Sequence, residues 1–321
     1  MINELLVGLD GSALAELVLP YVEAFALVAK APVRLIRVIR PEQAAAPLPD
    51  ENPELLPVMV VMPTERAGAE SEEMRNARHE AEHYLDRIVQ RLGEKGIVAN
   101  GTVIPGDPSR VLVEEAVAQK ASLILLCTHG RSGLGKLIHG SVAEAVVAHS
   151  SVPVLLVRAW KPSTGSATSH APAPILVPLD GTTNAERALP IAGELAKALS
   201  TELKLVEVMP PMDVASLTEN GWRSGEPQEI QKEEQDEARK YLTSVANRLR
   251  VSGIVTTISV RSASIGSAIA DEAAAGGASL VVMAPHAEPP VAQVLVRSVS
   301  LDVLHHVSVP VLLVGPRVTA D

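Results

Sequence analysis

Little in this sequence suits an exported, membrane-spanning or metal-cluster protein. Cys127 is the single cysteine among 321 residues, which excludes an internal disulfide and any thiolate-bound metal cluster. No apolar run approaches the ~20 residues that a membrane-spanning helix needs. The first residues enter an apolar strand pattern directly, without a basic leader or a cleavage site. We therefore expect a cytoplasmic protein.

Aromatic residues and positive charge are scarce as well. Aromatics make up 2% of the chain, so its core must be built from Val, Ile, Leu and Ala. The formal net charge of −10 argues against a nucleic-acid surface, which needs clustered Lys and Arg. The remaining composition, 47% hydrophobic and 21% charged, is typical of a globular chain. Its length suggests about two domains.

The chain repeats itself. The stretch at 175–182 repeats the one at 5–12 with an offset of 170, and the stretch at 309–314 repeats 152–157 with an offset of 157. The 13-residue difference between these offsets locates extra length in the first copy, which we assign to a Pro- and Ala-rich loop at 40–68. We predict one domain at 1–160 and another at 174–318. A linker rich in Ser, Thr, Ala and Pro joins them at 161–173.

Each copy alternates strands with helices. In the first copy the patterns predict strands at 2–9, 33–39, 98–104, 121–127 and 152–157, and helices at 13–29, 69–93, 108–117 and 141–148. This alternation predicts an α/β fold with a parallel sheet and helices on both faces. Pro153, early in the last strand, indicates a sheet edge. Ligands of such sheets bind beyond the carboxyl ends of the strands.

The loop after the fourth strand carries the main functional signal. A strand, a glycine-rich loop and a helix N-terminus form an anion site, because glycine lets backbone N–H groups approach and the helix dipole favours negative charge. Gly130-x4-Gly135-Lys136 matches the start of a P-loop. Leu137, however, stands where that motif needs the hydroxyl that holds Mg²⁺. We therefore do not interpret the loop as a P-loop.

A family resemblance follows from this loop and the repeat. Cys127-x2-Gly130-x9-Gly140-Ser141 resembles the Gly-x2-Gly-x9-Gly-Ser/Thr motif in the ATP-binding branch of the universal stress protein family, and the likeness covers nearly the whole chain. It implies two tandem, open, five-stranded parallel-sheet domains. These would be Rossmann-like, of the adenine nucleotide alpha hydrolase-like type. It also implies that the closing strands pair antiparallel across a pseudo-twofold axis, so that the tandem is a pseudo-dimer.

The resemblance further implies an ATP site, with Mg²⁺ as a possible companion. The residues it assigns to the ribose, the adenine and the phosphates are Leu9, Asp10, Val38, Gly130, Gly140, Ser141 and Val142. Cys127 replaces the family's first glycine, so we expect weakened rather than abolished binding. In the second copy Ala284, Ala287 and Arg297 occupy the glycine positions, and only Ser298 remains. There Pro289-Pro290 also removes two N–H donors, so we expect one ATP site per chain.

Several of these residues have a simpler interpretation. Asp10 can act only as a helix cap, and for Asp180, which lacks a phosphate loop, we prefer that role. Cys127 is either a redox-sensitive thiol near a helix N-terminus or a small core residue. His129 and His139 have no acidic or cysteine partner at ligand spacing, so we predict no metal site. Arg131 and Lys136 either contact phosphates or solvate the loop.

No nucleophile with an arranged base, and no carboxylate pair suited to fixed metal ions, identifies a catalytic site. We therefore expect a regulatory or stress-protective ATP-binding protein with at most slow ATP hydrolysis. The alternative is a nucleotide-free interaction scaffold or chaperone-like module. A nucleotidyl-transferring enzyme would need a His-rich signature after the first strand, and Asp10-Gly11-Ser12 is not one. The sequence names no protein partner and leaves further homodimerisation open.

Overall fold

The computed structural model describes residues 2–40, 71–128, 141–158, 173–210, 227–285 and 299–315. The strands are β1 (Leu5–Gly8), β2 (Val33–Ile39), β3 (Ala99–Pro105), β4 (Leu123–Thr128), β5 (Val154–Arg158), β6 (Ile175–Leu179), β7 (Leu203–Met209), β8 (Thr256–Ser262), β9 (Leu280–Met283) and β10 (Val311–Leu313). The helices are α1 (Leu19–Ala29), α2 (Glu72–Gly93), α3 (Pro108–Ala118), α4 (Ser141–His149), α5 (Leu189–Ala198), α6 (Pro227–Val251), α7 (Ile265–Ala275) and α8 (Val299–His306). The predicted α/β alternation is confirmed in both copies.

The ten strands within the described ranges join one sheet, in the order β3-β2-β1-β4-β5-β10-β9-β6-β7-β8. Pairings within each copy are parallel, and β5 meets β10 antiparallel. Leu155 pairs in register with Leu312, its own counterpart in the repeat. A residue that pairs with its counterpart marks a two-fold axis. The predicted pairing of the closing strands is therefore confirmed.

The prediction of an edge strand from Pro153 is wrong for this chain. β5 lies in the middle of the sheet, between β4 and β10. Pro153 comes one residue before β5, so its missing N–H leaves the ladder intact, and its carbonyl accepts the N–H of Ile124 at 2.9 Å. A proline in this place marks the start of a strand rather than an edge.

Two apolar layers cover the sheet because alternate strand residues point to opposite faces. One layer, which we call the front layer, holds Leu5, Val7 and Leu35 together with buried residues of α1, α2, α5 and α6. The other, the back layer, holds Leu6 and Ile36 with buried residues of α3, α4, α7 and α8. Each layer includes strands of both copies. Each layer is therefore continuous across the two copies.

Local signals explain where the helices begin. Asp107 accepts the N–H of Arg110 at 3.0 Å and precedes Pro108, so α3 has both a side-chain cap and a first-turn proline. The helix predicted at 13–29 starts instead with a 3-10 turn at Ala15–Val18. Pro20 explains the difference, because it has no N–H to donate four residues back. None of the helices in the described ranges is long and apolar enough to cross a membrane.

The extra length of the first copy lies where the repeat offsets predict it. The segment between β2 and α2 has 32 residues, whereas the segment between β7 and α6 has 17. Residues 41–70 lie outside the described part of the chain, as does most of the linker at 161–173. The linker and domain boundaries therefore stay predictions.

Candidate functional site

The carboxyl ends of β1, β2 and β4 lie side by side at one edge of the sheet. Leu9 and Asp10 follow β1 directly, and the Leu9 N–H donates to the Ile36 carbonyl at 2.9 Å. Val38 and Cys127 are the penultimate residues of β2 and β4. The structure thus brings four of the residues assigned to ATP to the same end of the sheet, Leu9 and Cys127 on its front face and Val38 on its back face; we call this end of β1, β2 and β4 the first crevice.

Asp10 organises the turn that leaves β1. Its carboxylate accepts the Ser12 N–H at 2.8 Å, and the Ser12 hydroxyl accepts the Ala15 N–H at 3.1 Å. Gly11 supplies the positive φ of +85° that the turn needs. The second copy has the same turn, with Asp180 accepting from Thr182. The turn is therefore structural in both copies, and ligand contact by Asp10 stays a prediction.

Cys127 faces the front layer and is partly buried there. Burial, and then the negative charge of Asp10, raise the pKa of its thiol to about 12. A redox-active cysteine needs a lowered pKa. The shift runs the other way, which favours the interpretation of Cys127 as a small core residue. Val38 packs against the back layer instead.

The helix expected to bind phosphate is present. α4 begins at Ser141, and Val142 packs against the back layer. Gly130 and Gly140 lie outside the described residues, together with His129, His139, Arg131 and Lys136. Thr128 ends β4 immediately before the loop and is 4% exposed. Its hydroxyl has no hydrogen-bond partner within the described ranges.

Arg37 and Tyr84 belong to the first crevice and are not among the residues predicted from the motif. The guanidinium carbon of Arg37 lies 5.3 Å from the centre of the Tyr84 ring, a cation–π contact. A Cβ on Gly11 would overlap the same guanidinium, so Arg37 covers the turn that Asp10 forms. Burial, followed by the negative charges of Glu16 and Asp10, raises the pKa of Tyr84. Comparison of the two copies could have identified Arg37, since its counterpart is Glu207.

Comparison with known families agrees with this geometry. The model of the universal stress protein family matches residues 1–158 and 173–315. The chain belongs to this family. The resemblance stated from the motif and the repeat is confirmed, and so is the fold class that it implies.

Individual relatives match the chain to different extents. Universal stress protein MJ0531 of Methanocaldococcus jannaschii is 33% identical over 81 residues, which are 25% of this chain and 48% of that protein, or about half its length. A universal stress protein of Mycolicibacterium smegmatis is 26% identical over 321 residues, and the alignment covers 98% of this chain and 97% of that protein. A solved universal stress protein of Archaeoglobus fulgidus shares the fold at 20% identity and a TM-score of 0.68, covering 98% of this chain and 96% of its own.

The second copy of this universal stress protein carries a different set of charges at the same edge of the sheet. Glu207 replaces Arg37, and one of its carboxylate oxygens is buried without a hydrogen-bond partner in the described ranges. Burial, and then the charge of Asp180, raise the pKa of Glu207. Asp302, the counterpart of Ala145, places its carboxylate where a Cβ on Gly266 would be. Glu207 and Asp180 therefore place two interacting carboxylates at this second crevice, whereas the first combines Asp10 with Arg37.

Other neighbours of the two crevices are shared. Tyr241, the counterpart of Tyr84, donates its hydroxyl to Glu186 at 3.1 Å, and Arg248 contacts the same carboxylate at 2.6 Å. In the first copy Arg91 and Glu16 form the equivalent ion pair at 3.9 Å. Ala284 is buried in the place of Cys127, and Ala287, Arg297, Ser298 and Pro289-Pro290 lie outside the described residues. Among the described positions, the exchange of Arg37 for Glu207 changes the charge of the crevice most.

Proposed function

We propose that the first copy binds ATP, with the phosphates at the N-terminus of α4. The observation that carries this proposal is the start of α4 at Ser141, directly after Gly130-x9-Gly140. The first turn of a helix has backbone N–H groups without intrahelical partners, and the dipole adds positive potential there. Glycines before such a turn leave room for the phosphates to approach the backbone.

The chemistry of the neighbouring residues fits a nucleotide. Thr128, buried beside the loop without a hydrogen-bond partner in the described ranges, offers a hydroxyl to a phosphate or ribose oxygen. Asp10 is exposed at the rim, where its carboxylate can accept hydrogen bonds from ribose hydroxyls. Arg37 supplies the positive charge that partly offsets Asp10. When Mg²⁺ is bound with the nucleotide, it would neutralise phosphate charge.

We further propose that each chain binds one ATP. In the second crevice a polyphosphate would approach the carboxylates of Asp180 and Glu207, and Glu207 stands where the first copy has Arg37. Like charges at close range disfavour an anionic ligand, most strongly where one of them is partly buried. The loss of the glycine positions in that copy acts in the same direction.

The biological role we propose is regulatory or stress-protective, in the cytoplasm, with at most slow hydrolysis of bound ATP. Nucleotide occupancy would change the surface around the first crevice and thereby the affinity for a protein partner. The rival is an interaction scaffold that works without nucleotide. Its support is Cys127, which fills the place of the family's first glycine.

Calorimetric titration of the full chain with ATP, adenosine and cAMP tests the proposal. One solved universal stress protein is described in complex with cAMP, so that ligand belongs in the panel. We expect one ATP per chain. Gly140→Val should lower ATP affinity at least tenfold, about 1.4 kcal/mol, because a branched side chain would occupy the phosphate space. The thermal unfolding of the ligand-free chain should hardly change.

Two further variants serve as controls. Cys127→Gly restores the family's first glycine and should raise ATP affinity. Ala287→Gly in the second copy should leave both affinity and stoichiometry unchanged, because Pro289-Pro290 and Arg297 still alter that loop. If Gly140→Val binds ATP as tightly as the parent chain, the loop is not the site. The scaffold function then becomes the better account.

A further inference from the structure

The exposed side of α2 carries two histidines one helical turn apart. His79 and His83 are both exposed, and their ring centroids lie 4.3 Å apart with an interplanar angle of 82°. Residues four apart on a helix are neighbours on its surface. The opposite side of α2 is anchored in the front layer by Tyr84, Leu85 and Ile88. The helix therefore fixes the backbone positions that carry the two imidazoles.

The distance between the two ring centroids is close to that of two imidazoles bound to one metal ion. Two imidazoles on one Zn²⁺ have Zn–N bonds of about 2.0–2.1 Å and an N–Zn–N angle between a right angle and the tetrahedral angle. Their ring centroids then lie roughly 4.5–5 Å apart. The observed separation of 4.3 Å differs from that range by less than about 1 Å, which small side-chain rotations supply. Imidazole nitrogen is a preferred ligand of Zn²⁺, Cu²⁺ and Ni²⁺.

From this geometry we infer that His79 and His83 chelate one divalent transition-metal ion, with water at the remaining positions. The segment His79-Glu80-Ala81-Glu82-His83 also matches the H-E-x-x-H pattern of zinc peptidases. In the described ranges no group of three or more His, Cys, Asp or Glu side chains is arranged to hold a metal ion. The inference therefore concerns metal binding at an open surface site and not peptide hydrolysis.

The second copy provides a matched comparison within the same chain. Asp236 and Lys240 of α6 occupy the positions of His79 and His83, and both are exposed. Tyr241 and Leu242 correspond to Tyr84 and Leu85, and all four pack in the front layer, so the two helices are anchored in the same way. As it stands, α6 lacks the imidazole pair. Introducing one there should create an equivalent site.

Titration of the full chain with Cu²⁺ alone tests the inference, with calorimetry for affinity and electron paramagnetic resonance for the number of bound nitrogens. We expect one site, tighter than the others, with two nitrogen ligands. His79→Gln or His83→Gln alone should weaken it at least tenfold, since a chelate needs both rings. Neither variant should change the unfolding of the metal-free chain, because both side chains are exposed.

The paired substitution Asp236→His with Lys240→His should add a second Cu²⁺ site of similar affinity. Unchanged Cu²⁺ binding in both single-histidine variants would overturn the inference, because other histidines would then hold the metal. A paired variant that folds as the parent does but gains no site would also overturn it, because helical spacing would then not suffice. ATP binding does not enter any of these measurements, so the outcome is independent of the proposed nucleotide site.

Discussion

The junction between the two copies predicts a specific coupling between Leu155 and Leu312. They are register partners at the centre of the sheet, both fully buried in the front layer. Side chains opposite each other on an antiparallel pair have Cβ atoms about 5 Å apart, so each leucine packs directly on the other. Truncating either leucine to alanine removes the contact between the two side chains. Truncating the other one as well therefore removes no further contact between them.

Each single substitution, Leu155→Ala or Leu312→Ala, should lower the free energy of unfolding by about 2–5 kcal/mol, the usual cost of emptying a leucine site in a core. The double variant should cost less than the sum of the two, with a coupling energy of about 1 kcal/mol or more. Leu35 and Leu205 form the matched control. They are also fully buried counterparts, but seven strand spacings separate β2 from β7, roughly 34 Å.

Urea unfolding followed by far-UV circular dichroism supplies the four free energies of each cycle. Leu155→Val and Leu312→Val provide a milder cycle if the double alanine variant is unfolded. Additive costs at Leu155 and Leu312, within about 0.3 kcal/mol, would contradict the antiparallel junction. A coupling of equal size between Leu35 and Leu205 would indicate general softening of the core and not direct contact.

Two further predictions concern single charged or ionisable groups. Glu272 is buried and pairs with Lys204 at 2.6 Å and with Arg261 at 2.7 Å. Glu272→Gln should lower the free energy of unfolding by about 2 kcal/mol, a figure that allows for the exposure of both partners, whereas the substitution Glu115→Gln at its counterpart should change it little. Burial acts to raise the pKa of Glu272, but the hydrogen bonds and charges of its partners outweigh it and hold the pKa below its usual range. Its contribution should therefore be present at neutral pH and be lost as the pH falls through this lowered pKa. Urea unfolding in which the parent and the variant do not converge at acid pH would refute this. For Cys127, whose pKa is about 12, iodoacetamide should alkylate the native chain far more slowly than the unfolded chain at pH 8, and equal rates would contradict the burial of the thiol.

Much of the fold could be predicted from the sequence because strands and helices alternate in two aligned copies. Val33–Ile39 was predicted to the residue, because four of its seven residues are the β-branched Val or Ile that favour strands. The 3-10 turn before α1 was not predicted, because apolar periodicity does not register the missing N–H of Pro20. The edge assignment of Pro153 failed for another reason. A proline just before a strand and one within an edge strand look alike in sequence.

The candidate site was predictable only where a motif or a strand end marked it. Asp10 and Val38 follow from strand ends and the family resemblance, and the structure places both at one crevice. Arg37 was not predicted as a site residue, because its role depends on which strand lies beside β1 and sequence periodicity does not give strand order. Its contact with Tyr84 joins residues 47 positions apart, and only the fold brings them together.

Photo-labelling of the full chain with 8-azido-ATP, followed by peptide mapping, tests the central claim most directly. The account predicts about one label per chain, on first-copy peptides that contain Asp10 or Val38, suppressed by excess ATP and strongly reduced in Gly140→Val. Labelling of second-copy peptides that contain Asp180 or Val208, or labelling that excess ATP does not suppress, would contradict it.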